Sequence, residues 1–297
     1  MKLATFKAAN ELERTGVVAG DDIIELTDIA PTMIDLIANW PALKDQVARR
    51  TVDEGLHYKL KDVHLCAPVP RPQKVMAIGL NYADHIAESG AATPEKQIWF
   101  AKLGNAVNGP YDPIQMPKAS KAIDWEAEMV FVIGKRCRHV SKEKAHEVIF
   151  GYACGNDISV RDWQFHTAQW LIGKSFDTHA PIGPWIVTAD EIGDPHALGI
   201  RCIVNGETKQ NSNTKNLVFN CFDQIAYLSQ AMTLESGDMV FTGTPGGVGQ
   251  SMKPPQFLKV GDTVRIEIDK IGAREGQEAD LAASHLGFRT VLRSRTL

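Results

Sequence analysis

The stretch AIDWEAEMVFVIGK, residues 122–135, decides how the chain is read. Its second half, from Met129 onward, is the apolar run of a buried strand. Its first half sets Asp124, Glu126 and Glu128 at every second position. Alternate strand residues share a face, so three carboxylates crowd one side just where the chain turns inward. Glu126 and Glu128 fall in line with Val130 and Val132, while Trp125, Ala127, Met129 and Phe131 take the other face. Taken alone, this is a strand start whose acids point to solvent.

A second segment changes the balance. In GYACGNDISVRDWQ (151–164), Asp157 follows a glycine-rich apolar run and precedes a helical stretch. A carboxylate at such a strand end can converge with Glu126 and Glu128. Three carboxylates suit a hard divalent cation such as Mg2+ or Mn2+, which prefers oxygen ligands and keeps waters. A cation also offsets the repulsion that makes clustered carboxylates costly. Arg161 and Gln164 fall one helical turn after Asp157 and can face the same way; Arg161 can equally form an exposed salt bridge with Asp162. Lys174, in IGKSFDTHAPIGP (172–184), lies between an apolar stretch and a turn, where a lone lysine is ordinarily solvated.

His85 and Glu88 stand at i and i+3 of a helical stretch, near enough to share a proton. A carboxylate beside an imidazole fixes its tautomer and raises its basicity, as a general base requires; the plainer alternative is a surface pair. The glycine-dense TGTPGGVG (242–249) matches neither phosphate-loop nor dinucleotide fingerprints. It is either a tight turn or a place where backbone amides approach an anionic group. The nucleophile-elbow pattern is absent from the sequence, which argues against an α/β-hydrolase.

With 297 residues, the chain suits one large domain or two unequal ones and needs no disulfide or metal to fold. A net charge of -4, with both signs interspersed, leaves no footprint for nucleic acid or an anionic membrane. Five scattered cysteines without a CxxC read as free thiols of a reducing compartment. The N-terminus lacks the apolar core of a secretory signal, and no run is long enough to span a membrane. The expectation is a cytosolic protein. Pro68, Pro70 and Pro72 place a boundary between a small N-terminal domain (1–68) and a catalytic domain (69–297).

TMIDLIANWPALKDQVARR (32–50), LNYADHIAESG (80–90), SKEKAHEVIFGY (141–152) and LVFNCFDQIAYLSQAMTL (217–234) read as helical, with Asn81 and Ser141 as caps and Gly90 as a stop. Short strands broken by turn residues dominate from about residue 180. The resulting fold is α+β and β-rich, a rolled or barrel-like sheet. The 98–120 segment reads as a long loop that closes over substrate.

The order of the segments GLNYADHIAE, DWEAEMVFVIGK, GNDISVRDWQ, GKSFDTHAPIGPW and TGTPGGVG resembles the fumarylacetoacetate hydrolase family, over roughly residues 70–270, and within it the acylpyruvase-like branch. The resemblance implies a mixed β-sandwich roll, a homodimer, and a Mg2+ or Mn2+ site. Carried over by position, Glu126, Glu128 and Asp157 match metal ligands. His85 and Glu88 match a water-activating dyad, and Lys174 a charge-stabilising lysine. Arg161, Gln164 and Thr244 match substrate contacts, whereas Asp124 matches no ligand. His179 departs from the small or apolar residue common in relatives. The activity implied is hydrolysis of a C–C bond in a 2,4-dioxo acid, a diketo-deoxy sugar acid among them, to pyruvate and a carboxylic acid. The alternatives are oxaloacetate decarboxylase, tautomerase or isomerase, and 2-oxo-alkenoate hydratase, through the same metal-enolate chemistry. The expected partner is a small 2-oxo acid.

Overall fold

The computed structural model describes residues 1–9, 12–51, 55–272 and 288–294. Three strands buried along their whole length form its centre: Ala127–Ile133, Ile149–Asn156 and Ala180–Thr188. They pair antiparallel, with Ala127–Ile133 beside Ile149–Asn156 and the latter beside Ala180–Thr188. Alternation sorts the first of them between two cores. Ala127, Met129, Phe131 and Ile133 join one cluster, which includes Ile200, Cys202 and Ile266 of a second sheet. Val130 and Val132 join the other, against Leu36, Ile37 and Phe241. A strand apolar on both faces is stable only between two layers, and each large side chain buried there contributes about 1.5–3 kcal/mol.

The large sheet extends from this centre in both directions. On one side, Ala180–Thr188 pairs antiparallel with Lys2–Lys7, and the N-terminal strands Glu13–Ala19, Asp22–Glu25 and His57–Lys59 follow in order. The N-terminal strands therefore continue the large sheet. On the other side, Ala127–Ile133 pairs with Met239–Phe241, which runs parallel to Val75–Gly79; Ile98–Ala101 closes that edge. The second sheet contains Glu207–Asn213, Gly199–Val204, Thr263–Ile268, Phe288–Ser294 and Ile114–Met116. Among the described residues the architecture is sheet-rich α+β, as expected, and the large sheet stays open instead of closing into a barrel.

The helical expectations hold in part. Helices occupy Met33–Ala38, Trp40–Arg50 and Cys221–Ala231, the last begun by a reciprocal Asn220–Asp223 capping box. Helix Ala83–Ser89 ends at Gly90 in the left-handed region, φ 68°. Asn81 does not cap it: its buried amide donates to the Phe219 and Thr242 carbonyls and bridges two loops instead. Lys142–Val148 is a 3-10 helix, and the Ser141 side chain makes no cap hydrogen bond to it.

The 98–120 segment differs most from its reading as one long loop. Three parts of it pair as strands: Ile98–Ala101 in the large sheet, Val107–Asn108 parallel to Ala180–Thr188, and Ile114–Met116 parallel to Phe288–Ser294. Its turn-forming prolines and glycines separate these short strands, which composition alone does not reveal.

Candidate active site

Met239–Phe241 runs antiparallel to Ala127–Ile133 and ends on the side where that strand begins, beside the turn after Asn156. There Glu126, Glu128 and Asp157 each bring a carboxylate oxygen within 4.8 Å of the others, and all three residues are buried. The Lys174 ammonium lies between two of them, 2.6 Å from Glu126 Oε2 and 2.7 Å from Asp157 Oδ2. Far from being solvated, Lys174 is 2% exposed. Arg161 is buried as well, and not paired with Asp162: its Nε donates to Asp124 Oδ2 at 2.8 Å, its Nη1 to Gln164 Oε1 at 2.9 Å, and its Nη2 is 2.7 Å from Glu126 Oε1.

The two glutamates lie two residues apart and meet opposite fields. Burial alone would push the Glu126 carboxyl up, but the Lys174 and Arg161 cations outweigh it and hold Glu126 well below the usual carboxylate range. Glu128 accepts a hydrogen bond from the Gly243 N–H at 2.6 Å, and burial together with the negative charges of Asp157 and Glu126 pushes its carboxyl well above that range. Burial opposes the Lys174 charge, yet Asp157 and Glu126 raise its pKa.

A cavity of about 220 Å³ opens above this floor. His85, Glu126, Glu128, Arg161, Gln164, Lys174 and Thr244 all line it, with Phe100, Phe165 and Trp170 among the apolar walls. Asp157 lies beneath, fully buried. His85 enters from helix Ala83–Ser89, its Nδ1 3.3 Å from Glu88 Oε2. The other Glu88 oxygen accepts the Gly247 N–H at 2.9 Å. Burial pushes the Glu88 carboxyl up, and these hydrogen bonds bring it below its ordinary value. Thr244 Oγ1 donates to the Ala127 carbonyl at 3.0 Å and accepts from Gln210 Nε2 at 2.8 Å.

Residues without an assigned role in the sequence complete the site. Asp124 accepts hydrogen bonds from the amides of Trp125, Gly249 and Gln250 as well as from Arg161. It holds the guanidinium that in turn faces Glu126. Lys102 donates to Asp157 Oδ1 at 2.6 Å from full burial, though a lysine inside AKLGN carries no local sign of that. The amides of the TGTPGGVG loop do approach anionic groups, and these belong to the protein: Gly243 serves Glu128, Gly246 serves Asp84, Gly247 serves Glu88 and Gly249 serves Asp124. Gly243 turns with φ 98°, a conformation that a side chain would strain. His179 is a packing residue. Its Nε2 is 3.0 Å from the Gln115 carbonyl, its ring stacks on Phe176, and burial pushes its pKa down to about 4.

Residues 74–277 match the family model described as Fumarylacetoacetate (FAA) hydrolase C-terminal. The chain belongs to the fumarylacetoacetate hydrolase family. It is 44% identical over 260 residues to an oxaloacetate tautomerase of Xenopus laevis named mitochondrial, covering 86% of this chain and 82% of that one. An oxaloacetate tautomerase of Rattus norvegicus, also named mitochondrial, is 43% identical, with 92% and 90% covered. Among solved structures, maleylpyruvate hydrolase from Sphingobium sp. SYK-6 in complex with manganese (II) ion and pyruvate is 32% identical, with TM-score 0.80 and 100% of each chain covered. Fumarylacetoacetate hydrolase from Exiguobacterium antarcticum is 32% identical, with TM-score 0.82, covering 99% of this chain and 100% of that one.

The relatives' names overturn the expectation of a cytosolic protein. The absence of an apolar signal core could not distinguish the compartments, because mitochondrial transit peptides are amphipathic and lack such a core. No helix among the described residues is long and apolar enough to cross a membrane. The residues present also fit a divalent cation. Four buried carboxylates (Asp124, Glu126, Glu128, Asp157) face three buried cations (Lys102, Lys174, Arg161), so the cluster balances only while Glu128 keeps its proton, a proton that a divalent cation would replace. The convergent donors are hard oxygens, and the similar hydrolase contains manganese.

Proposed function

We propose that the chain interconverts the enol and keto forms of oxaloacetate or a closely related 2-oxo acid. The observation that carries this reading is 40–44% identity, over at least 82% of their length, to proteins named oxaloacetate tautomerase. Glu126, Glu128 and Asp157 would hold a divalent cation, Mg2+ or Mn2+, which would supply Lewis-acid chemistry to the 2-oxo acid.

The chain's own groups do the rest. Ketonisation removes the proton from the enol oxygen and adds one to C3. The Glu88 carboxylate sits on His85 Nδ1, which leaves Nε2 to accept the enol proton and then deliver one to C3. Glu88 supports the imidazolium formed on the way. Lys174, whose ammonium lines the cavity floor, offsets negative charge developing on the 2-oxygen. Arg161, Gln164 and Thr244 orient the carboxylate and the remainder of the substrate, while Phe100 and Trp170 keep bulk water from the enolate.

A second reading, hydrolysis of an acylpyruvate to pyruvate and a carboxylic acid, is favoured by the likeness to maleylpyruvate hydrolase with bound pyruvate. In it the same His85–Glu88 pair deprotonates water for attack on the 4-oxo carbon. The deciding experiment supplies purified protein and Mg2+ with enol-oxaloacetate and with a panel of acylpyruvates. Faster loss of enol absorbance with no carbon released is the expected result. Acylpyruvate cleavage without accelerated ketonisation would replace the first reading with the second, and carbon dioxide release would make the protein a decarboxylase.

A further inference from the structure

Lys102 has a wholly buried side chain, and its ammonium meets three acceptors: Asp157 Oδ1 at 2.6 Å, the Ile158 carbonyl at 3.3 Å and the Lys174 carbonyl at closer range. An ammonium has three hydrogens, so none is left for a substrate. Nor is Lys102 among the residues lining the cavity over Glu126. Burying a cation costs several kcal/mol of hydration even after relaxation, and this one touches no reactant. Its backbone is pinned too: the Lys102 N–H donates to the Val75 carbonyl at 2.9 Å, and the Leu103 N–H to the Ser175 hydroxyl at 3.1 Å. Lys102 thus ties the end of strand Ile98–Ala101 to the Asp157 turn and to the turn carrying Lys174.

The two oxygens of Asp157 are divided by this contact. Oδ1 is taken by Lys102, and Oδ2 points to the side where Lys174 and Glu126 meet. We propose that Lys102 is a positioning residue of the cation site, clamping Asp157 so that Oδ2 faces Glu126 and Glu128. The same ammonium fixes the main chain from which Lys174 reaches the cavity. This inference rests on the reading of the three carboxylates as cation ligands.

Charge and geometry make opposite demands on a substitution here. Removing the Lys102 charge leaves Asp157 less compensated and would tighten cation binding by Coulomb attraction. Removing the clamp frees Asp157 to rotate and loosens binding. Groups that orient a metal ligand from behind are typically worth 10–100-fold in metal affinity, so the clamp decides the sign.

The test is calorimetric titration of chelator-stripped full-length protein with Mn2+, comparing the parent with Lys102→Met. The expected result is affinity lower by about 10-fold or more with an unchanged circular dichroism spectrum. Turnover stays reduced at saturating Mn2+, because the Lys174 carbonyl has lost its partner. Unchanged or tighter Mn2+ binding in the variant overturns the positioning role while leaving the cation reading intact. A parent protein that takes up no Mn2+ overturns the cation reading and this inference with it. Should the variant fail to fold, nitrogen-15 lysine spectra of the parent serve instead. The Lys102 ammonium protons should exchange slowly with water in both stripped and Mg2+-loaded protein, and rapid exchange in the loaded form overturns the proposal.

Discussion

The floor of the cavity and the helix that carries His85 are built from opposite materials. The floor is a lattice of buried charge beside the central strands: Glu126 and Asp157 interlocked with Lys102, Lys174 and Arg161, and Glu128 next to them on a backbone amide. The helix Ala83–Ser89 is short and partly exposed, and of its residues only Ile86 is buried. Its pair His85–Glu88 meets at 3.3 Å at the cavity edge. One loop serves both, since the amides of Gly243 and Gly249 hold floor carboxylates and those of Gly246 and Gly247 hold Asp84 and Glu88. The difference suits two tasks. A cation site needs fixed donors in a low dielectric, whereas a proton carrier needs access to both substrate and water.

That division is open to a direct break. Glu126→Gln keeps the side-chain volume but removes a charge paired with both Lys174 and Arg161. We expect Mn2+ uptake and turnover to fall to background, with stability lower by about 3–5 kcal/mol from the uncompensated cations. Undiminished Mn2+ affinity by calorimetry would remove Glu126 from the ligand set. His85→Ala should leave Mn2+ affinity as it was and slow ketonisation by about 10²–10⁴-fold. A variant working at the parent rate would dismiss the helix from the chemistry.

Glu88→Gln sharpens the contrast with the smallest effect, a turnover loss on the order of 10-fold through the His85 tautomer. It also carries a pH signature. The Glu88 carboxyl is lowered in the folded protein, so its contribution to stability is present above its unfolded value. That contribution is lost as pH falls through the lowered folded value. The parent should therefore melt slightly above Glu88→Gln at neutral pH, by about 2 °C or less given the group's exposure, and the gap should close in acid. A gap that widens on acidification would mean that folding raises the Glu88 carboxyl instead of lowering it.

Much of the site was legible because it obeys local periodicity. Two-residue alternation put Glu126 and Glu128 on the face of Val130 and Val132, and the i, i+3 spacing brought His85 to Glu88. The cap at Asn81, the loop at 98–120 and the solvated reading of Lys174 misled for a shared reason. Each residue's partner lies far along the chain: Asn81 bonds to Thr242, Ile114–Met116 pairs with Phe288–Ser294, and Lys174 pairs with Glu126. Local propensity holds no information on such partners.

By itself the amino-acid sequence determined the residue types, their faces and the family, because strand and helix periods act over a few residues. Only the tertiary structure decided the charges. It alone set Glu126 between two cations and left Glu128 with a backbone donor, gave Asp124 to Arg161, and buried Lys102 against Asp157. The energy of a buried charge depends on what stands within a few ångströms of it, and folding brings those neighbours from every part of the chain.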